Sequence, residues 1–130
     1  MSSNQRLQAP LLSALLACAA LTAVNSAQAH QVWLENAGGQ ARLHFGEFNE
    51  NLRETSPGRL DQFKGVPALE QQRAGAAAQR VEGQLAKDAF VYTTTGTPDT
   101  LFAAASYPLI DRSKRNLPAM YWQPSARWVA

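Results

Sequence analysis

The sequence predicts an all-β domain, an antiparallel β-sandwich of short strands, and three observations carry that expectation. Near the start, two stretches alternate apolar and polar residues on either side of a glycine turn. Further on, two runs rich in β-branched and aromatic residues flank Gly96-Thr97-Pro98-Asp99. The last stretch, Met120-Tyr121-Trp122 and then Trp128-Val129, has the same character. Short strands of this kind pack as two sheets around one core.

The elements follow in order. Val32 and Leu34 alternate with Trp33 and Glu35, Asn36-Ala37-Gly38-Gly39 supplies a turn, and Ala41, Leu43 and Phe45 then alternate with Arg42 and His44. This is an opening hairpin. Residues 51–55 read as a helical turn that stops before Ser56-Pro57-Gly58, and residues 69–78 contain good helix formers without a sustained apolar stripe. Val81, Gly83 and Leu85 alternate like a weak edge strand. Residues 90–94 and 101–107 form a second strand, turn and strand unit. The final Arg127-Trp128-Val129-Ala130 reads like the beginning or middle of a strand. Either that strand docks fully or the chain is a fragment of a longer protein, in which case the sandwich is incomplete at its C-terminal end and exposes edges.

The opening segment has a different character. Arg6 is followed by a run from Leu11 to Val24 that is almost entirely apolar and small, and Ala27-Gln28-Ala29 places small residues where a signal peptidase reads them. This predicts a secretory signal peptide over residues 1–29 and a working domain over residues 30–130, in a bacterial periplasm. The apolar run falls short of the ~20 residues that span a bilayer, so no membrane span is expected after cleavage. Leu15-Leu16-Ala17-Cys18 loosely resembles a lipoprotein processing site, with Leu16 a poor fit; a lipidated Cys18 is the lesser alternative.

Composition narrows the function. The 130 residues carry twelve Lys and Arg against ten Asp and Glu, a formal net charge of +2 without any run of like charge. Nucleic acid is therefore not an expected partner, because phosphate binding requires clustered cations. Cys18 is the single cysteine, so no intrachain disulfide forms and residues 30–130 have no thiol nucleophile. Neither GxxxxGK[ST], GxGxxG nor G-x-S-x-G occurs, and nothing singles out a catalytic carboxylate pair. A non-enzyme is expected.

His30 and His44 hold the remaining chemistry. Cleavage after Ala29 makes His30 the first residue, so its free amine and Nδ1 can close a chelate ring on Cu(II), Ni(II) or Co(II). The hairpin could bring His44 beside it as a third nitrogen ligand, with Glu35, Glu47 and Glu50 as oxygen ligands or as partners that orient the imidazoles. The plainer reading is that His44 is a solvated or hydrogen-bonded strand residue. Likewise Glu47, Glu50 and Glu54 read as a solvated face partly neutralised by Arg53, and Tyr107, Tyr121, Trp122 and Trp128 as core and edge aromatics.

The opening Ala29-His30-Gln31-Val32-Trp33-Leu34-Glu35 resembles the mature start, Ala-His-x-x-Trp-Leu-Glu, of bacterial periplasmic domain-of-unknown-function family 4198, which is grouped with cobalt and nickel uptake systems. The resemblance continues in Ala41-Arg42-Leu43-His44-Phe45-Gly46-Glu47, in Asn51-Leu52-Arg53-Glu54 with Ser56-Pro57-Gly58, and in Ala104-Ala105-Ser106-Tyr107-Pro108. It implies an immunoglobulin- or prealbumin-like sandwich serving as a periplasmic accessory or substrate-binding component of divalent-metal uptake. It also implies an envelope transporter or outer-membrane receptor as partner, with His30 as the matched position able to bind metal. Members of that family are longer, and this chain corresponds to their N-terminal half. The alternative is a non-catalytic envelope interaction module that acts through a sandwich edge by strand addition.

Overall fold

Gly38 and Gly39 set the first hairpin. Both have positive φ, 60° and 78°, the conformation that a two-residue type I′ turn requires and that glycine adopts without a steric cost. In the computed structural model, which describes residues 29–130, this turn joins β1 (Gln31–Ala37) to β2 (Gln40–Glu47). Their register pairs Val32 with Phe45 and Leu34 with Leu43 on the core face, and Trp33 with His44 and Glu35 with Arg42 on the other. The strands thus extend through Asn36 and Ala37, which the sequence reading had placed in the turn. The expected signal peptide, apart from Ala29, and Cys18 lie outside the described residues.

Seven more strands complete two antiparallel sheets: β3 (Leu52–Arg53), β4 (Leu69–Gln72), β5 (Gln79–Val81), β6 (Gly83–Leu85), β7 (Phe90–Thr93), β8 (Thr100–Ala104) and β9 (Ser125–Val129). One sheet runs β1-β2-β7-β6 with β3 beside the end of β2, and the other runs β5-β4-β8-β9. The fold is the predicted all-β sandwich. Among the described residues no helix is long and apolar enough to cross a membrane.

The core lies between the sheets. Leu43, Leu69, Leu101 and Tyr92 are essentially fully buried, and each large apolar side chain removed from water contributes about 1.5–3 kcal/mol. Tyr92 donates its hydroxyl to the Pro67 carbonyl at 2.6 Å, which satisfies the polar atom this burial would otherwise strand. A Cβ on Gly83 would lie 2.4 Å from the Tyr92 ring, so the glycine is what lets β6 close over it. At one end, Phe45, Phe63, Phe90, Tyr107 and Trp122 form an aromatic cluster with centroid spacings of 5.0–6.4 Å.

Three local expectations change. Instead of a helical turn over residues 51–55, a 3₁₀ turn at Phe48–Glu50 ends on Asn51 at φ 52° and gives way to β3. Pairing with the end of β2 overrides the weak local preference. Residues 69–72 form a strand rather than the start of a helix, since Leu69 and Gln71 alternate inward against β8. The runs flanking Gly96 are both strands, yet β7 pairs with β2 and β6 while β8 pairs with β4 and β9. That turn carries the chain between sheets.

The two sides of the sandwich differ. On one, Glu82 alone separates β5 from β6, so the chain steps from one sheet to the other and covers the edge. On the other, β1 and β9 are the outermost strands of their sheets, each paired on one side only, and lie close to one another. Ser125–Val129 docks along all of β8, Thr100 to Ala104. Because Ala37 and Gln40 close the hairpin as a hydrogen-bonded pair, the backbone groups of Val32, Leu34 and Asn36 face away from β2.

Candidate functional site

His30 stands at the entry to β1, with Val32 and Leu34 on the core-facing side, and its ring packs 5.0 Å from Phe45 at the rim of the aromatic cluster. Its surroundings depend on Gly46. This residue has φ 153°, and a Cβ there would lie 2.1 Å from the Leu52 carbonyl oxygen, so glycine allows β3 to close on β2. The Glu54 N–H then donates to the Phe45 carbonyl at 2.8 Å, which brings the Glu54 side chain to His30.

Two carboxylates flank the imidazole. His30 Nε2 is 2.6 Å from Glu54 Oε1, and Nδ1 is 3.6 Å from Glu47 Oε1. The side chains of His30, Glu47 and Glu54 are 24%, 16% and 20% exposed, so solvent reaches the group without flooding it. A carboxylate at 2.6 Å requires a proton on Nε2, which therefore donates to Glu54. Arg59 Nη1 lies 3.2 Å from the same nitrogen, but two donors do not bond; the favourable partner of Arg59 is Glu54, whose Oε1 lies 3.8 Å from Arg59 Nε. With the Nε2–H held by Glu54, Nδ1 is turned toward the Glu47 carboxylate, and its lone pair is open to a ligand only when that nitrogen carries no proton. This is the arrangement in which a carboxylate orients an imidazole for coordination through its other nitrogen.

His44 has a different setting. It is 2% exposed, with its ring stacked 5.3 Å from Trp33 at an interplanar angle of 28°. Its Nδ1 lies 3.2 Å from the Asp88 carbonyl oxygen and its Nε2 3.2 Å from Glu35 Oε2. Both partners are acceptors, so the ring satisfies them together only when both nitrogens carry protons. Glu35 also accepts from Arg53 at 2.8 Å and from the Trp33 indole at 3.2 Å. Burial works against ionisation of Glu35, but these two hydrogen bonds and the nearby charges of His44 and Arg53 outweigh it and hold the carboxyl below its ordinary range.

The hairpin expected to join the two histidines forms, but it does not bring them together. His30 packs on Phe45 and His44 on Trp33, and adjacent strand residues point to opposite faces of a sheet. Of the acids singled out as helpers, Glu47 lies near His30, Glu35 belongs to the His44 cluster, and Glu50 is exposed. The solvated acidic face is corrected: Glu47 and Glu54 are turned to His30, and Arg53 pairs with Glu35 instead. Tyr107, Trp122 and Trp128 pack against the core as expected, whereas Tyr121 is 73% exposed.

Glu54 as a partner of His30 was not legible, because 24 residues separate them and β3 is too short to announce itself. Gly46, a lone glycine inside an alternating strand, was the available cue to a close backbone approach. Among the described residues, no group of three or more His, Cys, Asp or Glu side chains has metal-holding geometry. A second feature is an open groove of about 720 Å³ along the unpaired edges, lined by Trp33, Glu35, Phe48, Arg127 and Trp128, among others. No family model, curated protein or solved structure matches the chain.

Proposed function

We propose that this protein is a periplasmic, non-catalytic carrier of a divalent transition-metal ion, serving as an accessory or substrate-binding component of cobalt or nickel uptake. The uptake role rests on the sequence resemblance. The ion-binding role rests on one observation: Glu54 accepts the hydrogen bond of the His30 Nε2–H, leaving Nδ1 directed to the side of Glu47. With the chain cleaved after Ala29, the α-amine joins Nδ1 in a chelate ring and Glu47 lies nearest as an oxygen donor. An amine, an imidazole and a carboxylate suit Ni(II), Co(II) and Cu(II). His44 is a structural residue in this reading.

Calorimetry on the chain beginning at His30 tests the proposal. One ion should bind per chain, with affinity falling as pH falls, because the amine and Nδ1 must be free of protons to coordinate. One additional residue before His30 should weaken binding by removing the amine from the ring. Absence of binding by all three ions, or equal binding with and without the added residue, would overturn the site. The outer edges of β1 and β9, each paired on one side only and flanking the groove, favour a second reading, an interaction module to which an envelope protein adds a strand. Failure of the metal titration would leave that reading in its place.

A further inference from the structure

Between β8 and β9 the chain makes an excursion, residues 108–121, that neither the sandwich core nor the His30 site uses. Its two arms are joined where Ile110 and Met120 exchange backbone hydrogen bonds of 2.9 and 3.0 Å. The tip turns through a 3₁₀ segment, Ser113–Arg115, that ends on Asn116 at φ 53°, and Asp111 Oδ1 accepts from the Ser113 N–H at 2.8 Å. The tip is therefore a formed finger held by its own hydrogen bonds.

What this finger displays is unusual for an exposed loop. Tyr121, Leu109, Leu117 and Met120 are 73%, 51%, 43% and 38% exposed, four large apolar side chains within thirteen residues. Interleaved with them are Arg112, Lys114 and Arg115, against the single acid Asp111. None of these three cations forms an ion pair among the described residues, a state they share with Lys64, Arg73, Lys87 and Arg127, but only here do three such cations fall within four residues of one another beside exposed apolar side chains. Arg112 Nε is enclosed without a hydrogen-bond partner, and Arg112 Nη1 reaches only the Met120 sulfur, at 3.4 Å. Its charge has no ion-pair partner among the described residues.

We infer that the finger over residues 108–121 docks the protein on an anionic lipid surface, with Leu109, Leu117, Met120 and Tyr121 entering the headgroup boundary and Arg112, Lys114 and Arg115 meeting lipid phosphates. Apolar tips and cations on one exposed element match the layering of a bilayer interface, where tyrosine and long basic side chains satisfy both phases at once. An acidic peptide would use the charges but leave the apolar tips in water. The inference is independent of His30, so either can fail without the other.

Vesicle co-sedimentation tests it, using the chain from His30 onward, which contains every described strand and the described core. Vesicles of phosphatidylcholine are compared with vesicles containing about one quarter phosphatidylglycerol. The protein should bind the anionic vesicles, and binding should weaken with added salt. Lys114→Glu with Arg115→Glu should lower the partition about tenfold or more. Leu117→Ser with Tyr121→Ser should lower it severalfold at constant salt. These four side chains are exposed, and thermal melts verify that the variants fold; if one does not, salt dependence and vesicle preference of the parent chain still decide. Equal binding to both vesicles, no binding to either, or binding unchanged in both folded variants would overturn the inference. So would tighter binding to poly-glutamate than to anionic vesicles, which would give the surface to an acidic protein partner.

Discussion

His30 and His44 lie on one hairpin, and the contrast between them shows how position assigns chemistry to a side chain. His44 is sealed beneath Trp33, with both ring nitrogens directed at acceptors, so it links β2 to Glu35 on β1 and to the Asp88 carbonyl. His30, at the strand entry, has one nitrogen fixed by Glu54 and the other directed toward Glu47, with a quarter of its side chain exposed. Enclosure makes the first a packing element. Partial exposure, and an Nδ1 that makes no hydrogen bond among the described residues, set the second apart from it.

The strongest way to break the contrast is to disturb the backbone that supports His30. Gly46→Ala would drive a Cβ into the Leu52 carbonyl at a positive φ, and should cost roughly 3–5 kcal/mol of stability through strain and displacement of β3. Denaturant unfolding measures this, and metal affinity should fall with it because Glu54 follows β3.

His44→Ala comes next. It leaves a space under Trp33 and leaves the Asp88 carbonyl and one Glu35 oxygen without this donor, so stability should drop by about 2–4 kcal/mol. Metal affinity of the folded fraction should remain unchanged. A matching loss of affinity in calorimetry would show that His44 is coupled to the ion site and would erase the distinction.

Smaller effects sharpen the assignment at His30. Glu54→Gln should weaken metal binding about tenfold, the scale of losing a carboxylate that orients a ligating imidazole. Glu47→Gln should weaken it at least as much, because it removes a donor oxygen rather than an orienting one. Both variants should melt near the parent temperature. An affinity unchanged in both would leave the chelate to the amine and imidazole alone.

The smallest expected effect belongs to Glu35. Its carboxyl is held below the ordinary range in the folded protein, so it stabilises the fold above the unfolded carboxylate range and loses that contribution as pH falls through the folded value. The side chain is 44% exposed, which limits the size of the effect through solvent screening. Melting temperature followed from neutral pH into acid should decline less steeply in Glu35→Gln than in the parent.

Local pattern by itself determined much of this protein. Alternation through Val32, Leu34, Leu43 and Phe45, with two glycines between the strands, specified the opening hairpin because strand faces alternate with period two and a type I′ turn needs positive φ. The β-branched and aromatic runs at residues 90–94 and 101–107 specified strands, whereas the Val81, Gly83 and Leu85 alternation, read as one weak edge strand, is divided at Glu82 between β5 and β6, the edges of different sheets. Only the tertiary structure decided that β7 and β8 enter different sheets, that the weak segment at Leu52 and Arg53 becomes β3, and that Glu54 reaches His30 across 24 residues. It also decided that His44, on the polar side of a strand, is enclosed by Trp33 and Glu35. Pattern records which face a residue occupies; what stands against that face is set by non-local pairing, whose energy comes from contacts that spacing along the chain does not encode.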